Sequence, residues 1–482
     1  MKELFVEGVT YVSEHLILLY AFVLALITLV LSVVSIRNTR RYVRYGQIAD
    51  DQAILSSSLA PSISLIVPMY NEENNIIDSL RSLLSLRYNN YDVIVVNDGS
   101  TDASLRNLID YFQLVEVEQK AEGELATRRI MGVYKSENKA FNKLLVIDKL
   151  NGGKADALNA GINISKSRLV ASMDADSIIA PDGLLKMVRP FLKENTKRVI
   201  ATGAVVRIAN SCKIEDGSLI KVQLPGNLLA RFQTLEYLRV FLLSRLAWSK
   251  LNGLLIISGA FGLFDREIVN KAGGYATNTV GEDMELVIRM RRYMHSIREK
   301  YRVFYIPDPL CWTEAPSSFK VLNRQRNRWA RGNAETLYRH RKVFFNPRYG
   351  LMGWLSYPYW FFFEYLAPYI EITGILYFVS QMIWGGINLS YFLSLLASVY
   401  ALSVLVSIVA LIAEEFSYHK YSRRSDTAWL LLTALLEPIL YHPLILFSVL
   451  GGYLDLLFGT KSWGHMRRTG FRNKQEHKKQ AA

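Results

Sequence analysis

Residues 151–177, "NGGKADALNAGINISKSRLVASMDADS", combine residue types that could hold an anionic ligand together with a metal ion. Lys154 follows two glycines, and Asp174 and Asp176 follow an apolar run about twenty residues later. Residues two apart on an extended strand face the same way, so the two carboxylates can act together. Lysine offers a compact charge to phosphates, and carboxylates with phosphate oxygens suit Mg²⁺ or Mn²⁺. This spacing predicts a site for a nucleoside diphosphate and a divalent metal ion.

Asp98 adds a carboxylate in a similar setting. It lies in "NDGSTD" (97–102), directly after an apolar run, and Asn71 and Glu72 follow another apolar run, "ISLIVPM". At the end of a strand, Asp98 could accept a hydrogen bond from a nucleotide base or a ribose hydroxyl. Each motif alone has a plainer explanation, because Asp-Gly and Ser favour turns and single charges usually lie at the surface. Their repeated position after apolar runs favours one shared site.

Two adjacent acids, Glu282 and Asp283, begin the helical pattern "GEDMELVIRMRRY". Acidic residues at a helix N-terminus are stabilised by the helix dipole, so capping is one interpretation. The other is general base catalysis, in which a carboxylate takes the proton from an attacking hydroxyl group. These residues alone leave both interpretations open.

The segment "QRNRWARG" places Gln325, Arg328 and Trp329 at positions i, i+3 and i+4, which lie on one face of a helix. An arginine there could hold a diphosphate, and an indole could stack on a sugar ring. The alternative is a basic amphipathic helix on a membrane surface, since residues 317–342 are rich in arginine. The other motifs favour the ligand-binding interpretation.

The segments that carry these residues alternate between strand and helix patterns. Apolar runs at 63–69, 91–96, 144–148 and 168–174 are typical of strands buried on both faces, and helical patterns lie between them. This alternation predicts a Rossmann-type parallel sheet. In such sheets, ligands bind beyond the carboxyl ends of the strands. Residues 111–143 are polar and less regular, and we interpret them as an insertion of unassigned structure.

Three hydrophobic tracts predict membrane segments. Residues 16–36 carry no charge and could span a hydrocarbon core of about 30 Å. A second uncharged tract, 372–413, is interrupted by "WGGINLS" and predicts two spans joined by a tight outer loop. The third, 427–458, contains Glu437 and Pro438 among other breaks, so we expect a broken, interfacial or re-entrant segment there.

The distribution of charge predicts orientation and partners. The basic segments "RNTRRYVR" and "HKYSRR" follow the first and third spans, which places residues 37 to about 350 in the cytoplasm, together with the basic tail. The net charge of +14 suits anionic lipid, and the sequence has no nucleic-acid-binding motif. Cys212 and Cys311 are the only cysteines, which suits a reduced compartment without a metal cluster.

Together, these motifs resemble those of membrane-embedded family 2 glycosyltransferases, in particular the cellulose, hyaluronan and poly-N-acetylglucosamine synthases. The resemblance covers about residues 61–335 and rests on "PMYNE" (68–72), "NDGSTD" (97–102), "GGKADALN" (152–159), "DAD" (174–176), "GED" (281–283) and "QRNRW" (325–329). It implies an α/β fold of the GT-A class, Rossmann-like with a mostly parallel sheet, together with transmembrane and interfacial helices.

The resemblance also implies roles for individual residues. Asp283 would be the catalytic base, and Asp176 would ligate Mg²⁺ or Mn²⁺. The nucleotide sugar would be bound by Tyr70, Glu72, Asp98, Lys154 and Asp174, with Asp98 at the uridine, and the acceptor and diphosphate by Glu282, Gln325, Arg328 and Trp329. Gly281 departs from the family, which usually has threonine there. "WGHMR" (463–467) is similar to the gating loop of hyaluronan synthases.

The expected organisation is an N-terminal transmembrane helix (1–45), a cytoplasmic GT-A domain (46–342), interfacial and transmembrane helices (343–460) and a basic cytoplasmic tail (461–482). The expected function is inverting, processive transfer from a UDP-sugar to a growing β-linked polysaccharide that crosses the plasma membrane. UDP-N-acetylglucosamine and UDP-glucose both fit as donors, and a small membrane subunit or a homo-oligomer could complete the channel. The alternatives are a single-addition enzyme acting on a lipid or short glycan, and a nucleotide-binding scaffold or sensor.

Overall fold

The computed structural model of the chain describes residues 2–46, 51–57, 60–119, 123–215, 217–384, 388–421 and 423–459. These residues fall into two compact units. The sheet unit lies within Ile48–Gly226 and Leu255–Ala315, and the helical unit lies within Met1–Gln47, Asn227–Leu254 and Pro316–Lys461. The helical unit thus takes in segments that the predicted domain boundaries assign to the cytoplasmic domain. The segment "WGHMR" and the basic tail lie outside the described residues.

The structure describes twelve strands in the sheet unit, and ten of them form one sheet. The strands are β1 (Ile63–Met69), β2 (Tyr91–Asp98), β3 (Leu114–Glu116), β4 (Ile130–Ser136), β5 (Leu144–Lys149), β6 (Leu169–Met173), β7 (Ser177–Ile179), β8 (Arg198–Ile208), β9 (Lys213–Glu215), β10 (Ser218–Lys221), β11 (Phe261–Asp265) and β12 (Tyr301–Thr313). Their order in the large sheet is β3-β4-β5-β2-β1-β6-β11-β8-β12-β7, and β9 and β10 form a separate hairpin.

The four apolar runs that predicted strands form the centre of this sheet. β1 pairs in parallel with β2 and β6, and β2 pairs in parallel with β5. These strands are almost fully buried, as expected for continuous apolar sequences covered on both faces. Their carboxyl ends therefore meet at one edge of the sheet. The outer strands add antiparallel pairs, so the sheet as a whole is mixed.

Residues 111–143, unassigned from the sequence, contribute an edge to the same sheet. β4 pairs antiparallel with β5, and the short β3 pairs antiparallel with β4. One side of this edge stays largely exposed, so its strands lack the continuous apolar run that marks the centre. Polar composition therefore concealed an ordinary edge strand.

The helices are numbered in chain order. They are α1 (Lys2–Gly46), α2 (Asp51–Ser56), α3 (Ile76–Leu84), α4 (Ser104–Phe112), α5 (Lys154–Ile164), α6 (Gly183–Lys193), α7 (Leu228–Tyr237), α8 (Leu246–Lys250), α9 (Arg266–Ala272), α10 (Glu282–Ser296), α11 (Phe319–Arg339), α12 (Tyr357–Tyr359), α13 (Ala367–Trp384), α14 (Leu389–Ser417), α15 (Arg424–Leu440) and α16 (His442–Leu457). Short π-helical stretches at Leu238–Arg245, Met352–Ser356 and Trp360–Tyr365 join some of them.

Three helical stretches among the described residues are long and apolar enough to cross a membrane. They are His15–Arg44, Met352–Trp384 and Leu389–Ser417. The bent pair α15–α16, which breaks by 47°, would make a fourth if it forms one span. The tract at 16–36 falls within the first of these helices, the tract at 372–413 covers the end of the second and most of the third, and the tract at 427–458 covers most of the bent pair. The second stretch begins earlier than the predicted tract because Glu364 and Glu371 lie within it and interrupt the uncharged run.

The bend confirms the prediction of a broken segment at 427–458. Pro438 lies inside α15, and Pro443 lies in the first turn of α16. Proline removes a backbone donor and disfavours a helical conformation at the residue before it, so two prolines around Tyr441 separate the helices.

Candidate active site

The carboxyl ends of β1, β2, β5 and β6 carry the polar residues that the sequence analysis selected. β2 ends on Asp98, and the "NGGK" turn follows β5. Asp174 follows β6 directly. β11 lies antiparallel beside β6, with Phe261 opposite Met173, so the residues before β11 join the same edge. The edge therefore gathers Asp98, Lys154 and Asp174, together with Gly259.

Asp98 is buried, and its carboxylate is used by the chain itself. Gly152 and Gly153 donate their backbone N–H groups to its two oxygens at 2.9 and 2.7 Å. The Nζ of Lys149 lies 2.5 Å from the same carboxylate and 2.6 Å from Asp156. Asp98 thus fixes the glycine turn that begins α5. Its predicted contact with a uridine stays a prediction, and its hydrogen bonds show that it also supports the turn.

Lys154 begins α5 and lies among carboxylates from the loop after β6 and from the first turn of α10. Its Nζ contacts Asp174 and lies 3.9 Å from Glu282 Oε1. It also lies within 3.5 Å of the Gly259 carbonyl oxygen. A methyl group added at Gly259 would be 2.9 Å from Lys154 Nζ and 3.7 Å from Asp283 Oδ2. Three carboxylates, those of Asp174, Glu282 and Asp283, therefore surround the Lys154 ammonium group, and at Gly259 any side chain would collide with that group.

The electrostatic balance keeps Lys154 charged. Burial would lower its pKa, but Asp174, Glu282 and Asp283 outweigh burial, so the pKa is raised above its ordinary value. A cation thus lies between the strand-end carboxylates at any physiological pH. It supplies the positive charge that a diphosphate needs.

Two neighbouring groups stay neutral. Burial raises the pKa of the Tyr275 phenol, and the charges of Asp283, Glu282 and Asp174 raise it further against the hydrogen bond to Ser172. Burial likewise raises the pKa of the Cys311 thiol, with smaller contributions from nearby carboxylates. Neither group is available as an anionic nucleophile.

Asp283 shows both features that the sequence left open. Its Oδ1 accepts a hydrogen bond from the Met284 N–H at 2.8 Å, which is an interaction at the first turn of α10. Its Oδ2 faces the space beside Gly259. The carboxylate is half-buried, whereas the neighbouring Glu282 is buried. One oxygen thus serves the helix and the other faces the site, as a general base requires.

Asp174 and Asp176 are the residues that would hold the divalent ion implied by the motifs. Asp176 is buried, and the backbone oxygen of Asp174 accepts from the Ser177 N–H at 3.0 Å, which turns the chain between them. Among the described residues, no three His, Cys, Asp or Glu side chains are grouped so as to hold a metal ion. The donor set therefore fits an ion that takes few ligands from protein and the others from phosphate oxygens and water.

The loop after β1 is held against the loop after β2. Asn71 adopts a positive φ of 57°, and its N–H donates to Ser100 Oγ at 3.0 Å. The N–H of Glu72 donates to Ser104 Oγ at 2.8 Å, and Glu72 is buried. Tyr70 is exposed at 43%. The structure thus brings Tyr70 and Glu72 to the same sheet edge as Asp98.

Gln325, Arg328 and Trp329 lie on α11, in the helical unit. Trp329 is exposed at 42%, while Gln325 and Arg328 are half-buried. The helical prediction and the spacing of i, i+3 and i+4 on one face are consistent with α11.

The sequence analysis missed Lys149 and Asn159, which position the site. Asn159 on α5 accepts from the Tyr275 N–H at 2.7 Å and donates to the Tyr275 carbonyl at 2.9 Å. It therefore links the Lys154 helix to the loop that leads to α10. A lysine ending the apolar run "LLVIDK" is the one signal that could have identified Lys149.

The chain matches two family models. The family model "Glycosyl transferase family 2" matches residues 64–271, and "Glycosyl transferase family group 2" matches residues 169–441. Poly-beta-1,6-N-acetyl-D-glucosamine synthase of Staphylococcus epidermidis is 29% identical over 282 residues, which are 58% of this chain and 56% of that protein. The synthase of Staphylococcus aureus strain MSSA476 is 29% identical over 278 residues, with the same coverage. The chain thus spans about half the length of the curated relatives it matches.

Solved structures are more distant. A Pyrobaculum calidifontis mannosyltransferase in complex with GDP-Man and Mn²⁺ is 17% identical, with a TM-score of 0.49 over 91% of this chain and 100% of that chain. A Mycobacterium tuberculosis glucosyl-3-phosphoglycerate synthase in complex with Mn²⁺, UDP-glucose and phosphoglyceric acid is 15% identical, with a TM-score of 0.35 over 60% of this chain and 84% of that chain.

Proposed function

Because the chain belongs to glycosyl transferase family group 2, we propose that it transfers N-acetylglucosamine from its UDP derivative to a growing β-linked polysaccharide. The family membership makes it a glycosyltransferase of the GT-A fold, as the motifs predicted. The observation that carries the proposal is the gathering of Asp174, Glu282 and Asp283 around the Lys154 ammonium group, next to Gly259. The relatives named as poly-beta-1,6-N-acetyl-D-glucosamine synthases favour this sugar over glucose.

The nucleotide sugar is proposed to bind across the carboxyl ends of β1, β2, β5 and β6. Tyr70 and Glu72 lie on the first loop, and Asp98 holds the glycine turn in place. Lys154 faces the diphosphate, since its charge is maintained by the surrounding carboxylates. A divalent ion bound by Asp174 and Asp176 would offset charge on the departing diphosphate.

Asp283 is proposed to be the base of an inverting transfer. Its Oδ2 takes the proton of the acceptor hydroxyl while that oxygen bonds to the anomeric carbon. The bond from this carbon to the diphosphate breaks on the opposite face, so UDP leaves and the anomeric configuration inverts. Lys154 stabilises the negative charge that develops on UDP. Glu282 shares Lys154 with Asp174, which holds the ammonium in place.

The helical unit supports action at a membrane. Its three or four candidate spans carry basic flanks, which favour a multi-pass enzyme whose catalytic domain (46–342) is cytoplasmic. On the strength of the motif, Gln325, Arg328 and Trp329 are proposed to bind the acceptor and diphosphate during processive elongation and translocation. The small number of spans favours a second candidate, a single-addition enzyme acting on a lipid or short glycan, unless a partner subunit completes the channel.

The deciding experiment incubates the purified chain with individual radiolabelled UDP-sugars and Mg²⁺ or Mn²⁺, and then sizes the product. We expect long product from UDP-N-acetylglucosamine, none with a chelator, and little from UDP-glucose. A product one sugar long under saturating donor would favour the single-addition enzyme. Failure to transfer sugar from every donor would contradict the proposed activity.

A further inference from the structure

The motif "QRNRW" on α11 contains two kinds of residue. Gln325, Arg328 and Trp329 remain partly exposed, whereas Arg326 is 4% exposed. Two guanidinium nitrogens of Arg326 donate to the two carboxylate oxygens of Glu236, both at 2.8 Å. Glu236 lies on α7. Arg326 thus binds α11 to α7 through a bidentate ion pair, the arrangement that best fixes a guanidinium.

Tyr441 joins this ion pair from the break between α15 and α16. Its hydroxyl donates to Glu236 at 2.6 Å and accepts from Arg326 at 3.3 Å. Its ring stacks on Phe232 of α7, with centroids 5.2 Å apart. The residue at the bend of the helix pair therefore holds both partners of the ion pair.

Asn327, the next residue of the motif, binds α16. Its side-chain amide donates to Asp455 at 2.7 Å. Gly452 lies against the same residue, because a methyl group there would be 2.6 Å from the Asn327 carbonyl oxygen. Both residues between Gln325 and Arg328 thus attach α11 to its neighbours.

Arg326 also reaches the exposed face of α11. Its guanidinium carbon lies 4.2 Å from the centre of the Trp329 ring, within the range of a cation–π contact. The buried cation therefore fixes one face of the indole and leaves the other exposed. A rigid indole face is what a sliding sugar chain needs, since a ring contact demands no particular hydroxyl.

We propose that Glu236, Arg326 and Tyr441 are positioning residues that orient Trp329 and join it to the bend of the α15–α16 pair. The inference rests on the proposed function, in which Trp329 contacts the acceptor. A buried ion pair is weak evidence for stability alone, because apolar packing often serves as well. Its use here is geometric, since the same guanidinium contacts the indole and the tyrosine at the bend.

The test uses Tyr441→Phe in the full chain, which removes one hydroxyl and keeps the ring. Tyr400→Phe is the matched control, because the Tyr400 hydroxyl donates to the Leu435 carbonyl within the same helical unit. We expect Tyr441→Phe to raise the KM for acceptor by roughly three- to tenfold, the equivalent of one hydrogen bond. Product should shorten, while the KM for UDP-sugar stays at the wild-type value.

Two further measurements separate positioning from folding. Added to Trp329→Ala, the Tyr441→Phe change should cause no further loss, because its effect passes through the indole. Hydrogen exchange across residues 319–339 should become faster in Tyr441→Phe and not in Tyr400→Phe. Three results would overturn the inference, provided that the wild type is processive. They are an unchanged KM for acceptor in Tyr441→Phe, additive losses in the double variant, and unchanged hydrogen exchange across residues 319–339. If the wild type transferred no sugar, the proposed function would be contradicted. The hydrogen-exchange measurement would still decide whether Tyr441 is coupled to α11.

Discussion

Replacing Lys149 by methionine should leave the buried carboxylates of Asp98 and Asp156 without their cationic partner. Lys149 is 1% exposed and contacts Asp98 at 2.5 Å and Asp156 at 2.6 Å. Methionine matches the length of the side chain and removes only the ammonium group. Asp98 keeps the N–H groups of Gly152 and Gly153, so part of its charge remains compensated.

The size of the effect follows from that compensation. Removing one partner of a buried ion pair costs about 3–5 kcal/mol. We expect about 3 kcal/mol, because Asp156 also keeps the N–H of Arg128 at 3.0 and 3.2 Å. That is a large part of a typical stability of about 5–15 kcal/mol. For a unit of this size, the loss lowers Tm by about 6–12 °C.

The assay is thermal unfolding of the purified chain with and without UDP. Lys139→Met is the control, since Lys139 is exposed and its loss should change stability by less than about 0.5 kcal/mol. UDP should stabilise Lys149→Met less than the wild type, because the glycine turn before Lys154 loses its support. Adding Asp156→Asn to Lys149→Met should reverse part of the loss in Tm, because it removes one of the two uncompensated negative charges. A Tm equal to that of Lys139→Met, or no recovery with Asp156→Asn, would refute the electrostatic reasoning.

Four other changes test separate parts of the site. Asp283→Asn should lower turnover by roughly 10²- to 10⁴-fold and keep UDP-sugar affinity; lost affinity at normal turnover would make it a capping or binding residue. Asp176→Asn should abolish metal-dependent activity, and near-normal turnover in chelator would exclude its metal role. Trp329→Ala should abolish long product and spare UDP-sugar binding, whereas unchanged chain length would contradict processive transfer. Asp92→Asn should raise Tm at pH 7.5, because burial raises the pKa of Asp92 and the charged carboxylate therefore lowers stability above that pKa. The increase in Tm should disappear toward about pH 4, where the carboxyl group of the wild type is protonated, and an increase independent of pH would contradict this cause.

The strand ends could be predicted from sequence for a physical reason. Continuous apolar runs occur where strands are covered on both faces, and parallel strands place their carboxyl ends at one edge. Asp98, Lys154 and Asp174 follow such runs, so their proximity required no knowledge of distant contacts. The arrival of Gly259 at the same edge depends on β11 pairing antiparallel with β6. No local pattern specifies that pairing.

The support that Asp98 gives to the glycine turn could not be predicted from the sequence. A carboxylate at a strand end can bind a nucleotide or a turn, and the two cases have the same local sequence. What separates them is the direction of the Gly152 and Gly153 N–H groups, which depends on how the turn closes. The buried Lys149 was missed for the same reason, because its partners come from β2 and α5.

Membrane segments could be predicted from the sequence where the length of an uncharged apolar tract is enough to identify a span. The tract at 16–36 lies within α1, the tract at 372–413 covers parts of α13 and α14, and the prolines at 438 and 443 accompany the observed bend. The stretch from Met352 was underestimated because Glu364 and Glu371 interrupt its apolar sequence. A prediction from apolar composition alone ends a span at such acids, although a tertiary partner within the helical unit can accommodate them. His442, for example, lies 2.9 Å from Glu371.

The acids around Lys154 can be ranked by their availability as a base. Asp174 contacts the Lys154 ammonium directly, and Glu282 lies 3.9 Å from it and is buried. Proton transfer to either one would weaken the ion pairs that hold Lys154. Asp283 is half-buried, and its one hydrogen bond among the described residues uses Oδ1, so Oδ2 can take a proton without breaking a hydrogen bond. Capping and catalysis are therefore compatible roles, divided between the two oxygens of one side chain.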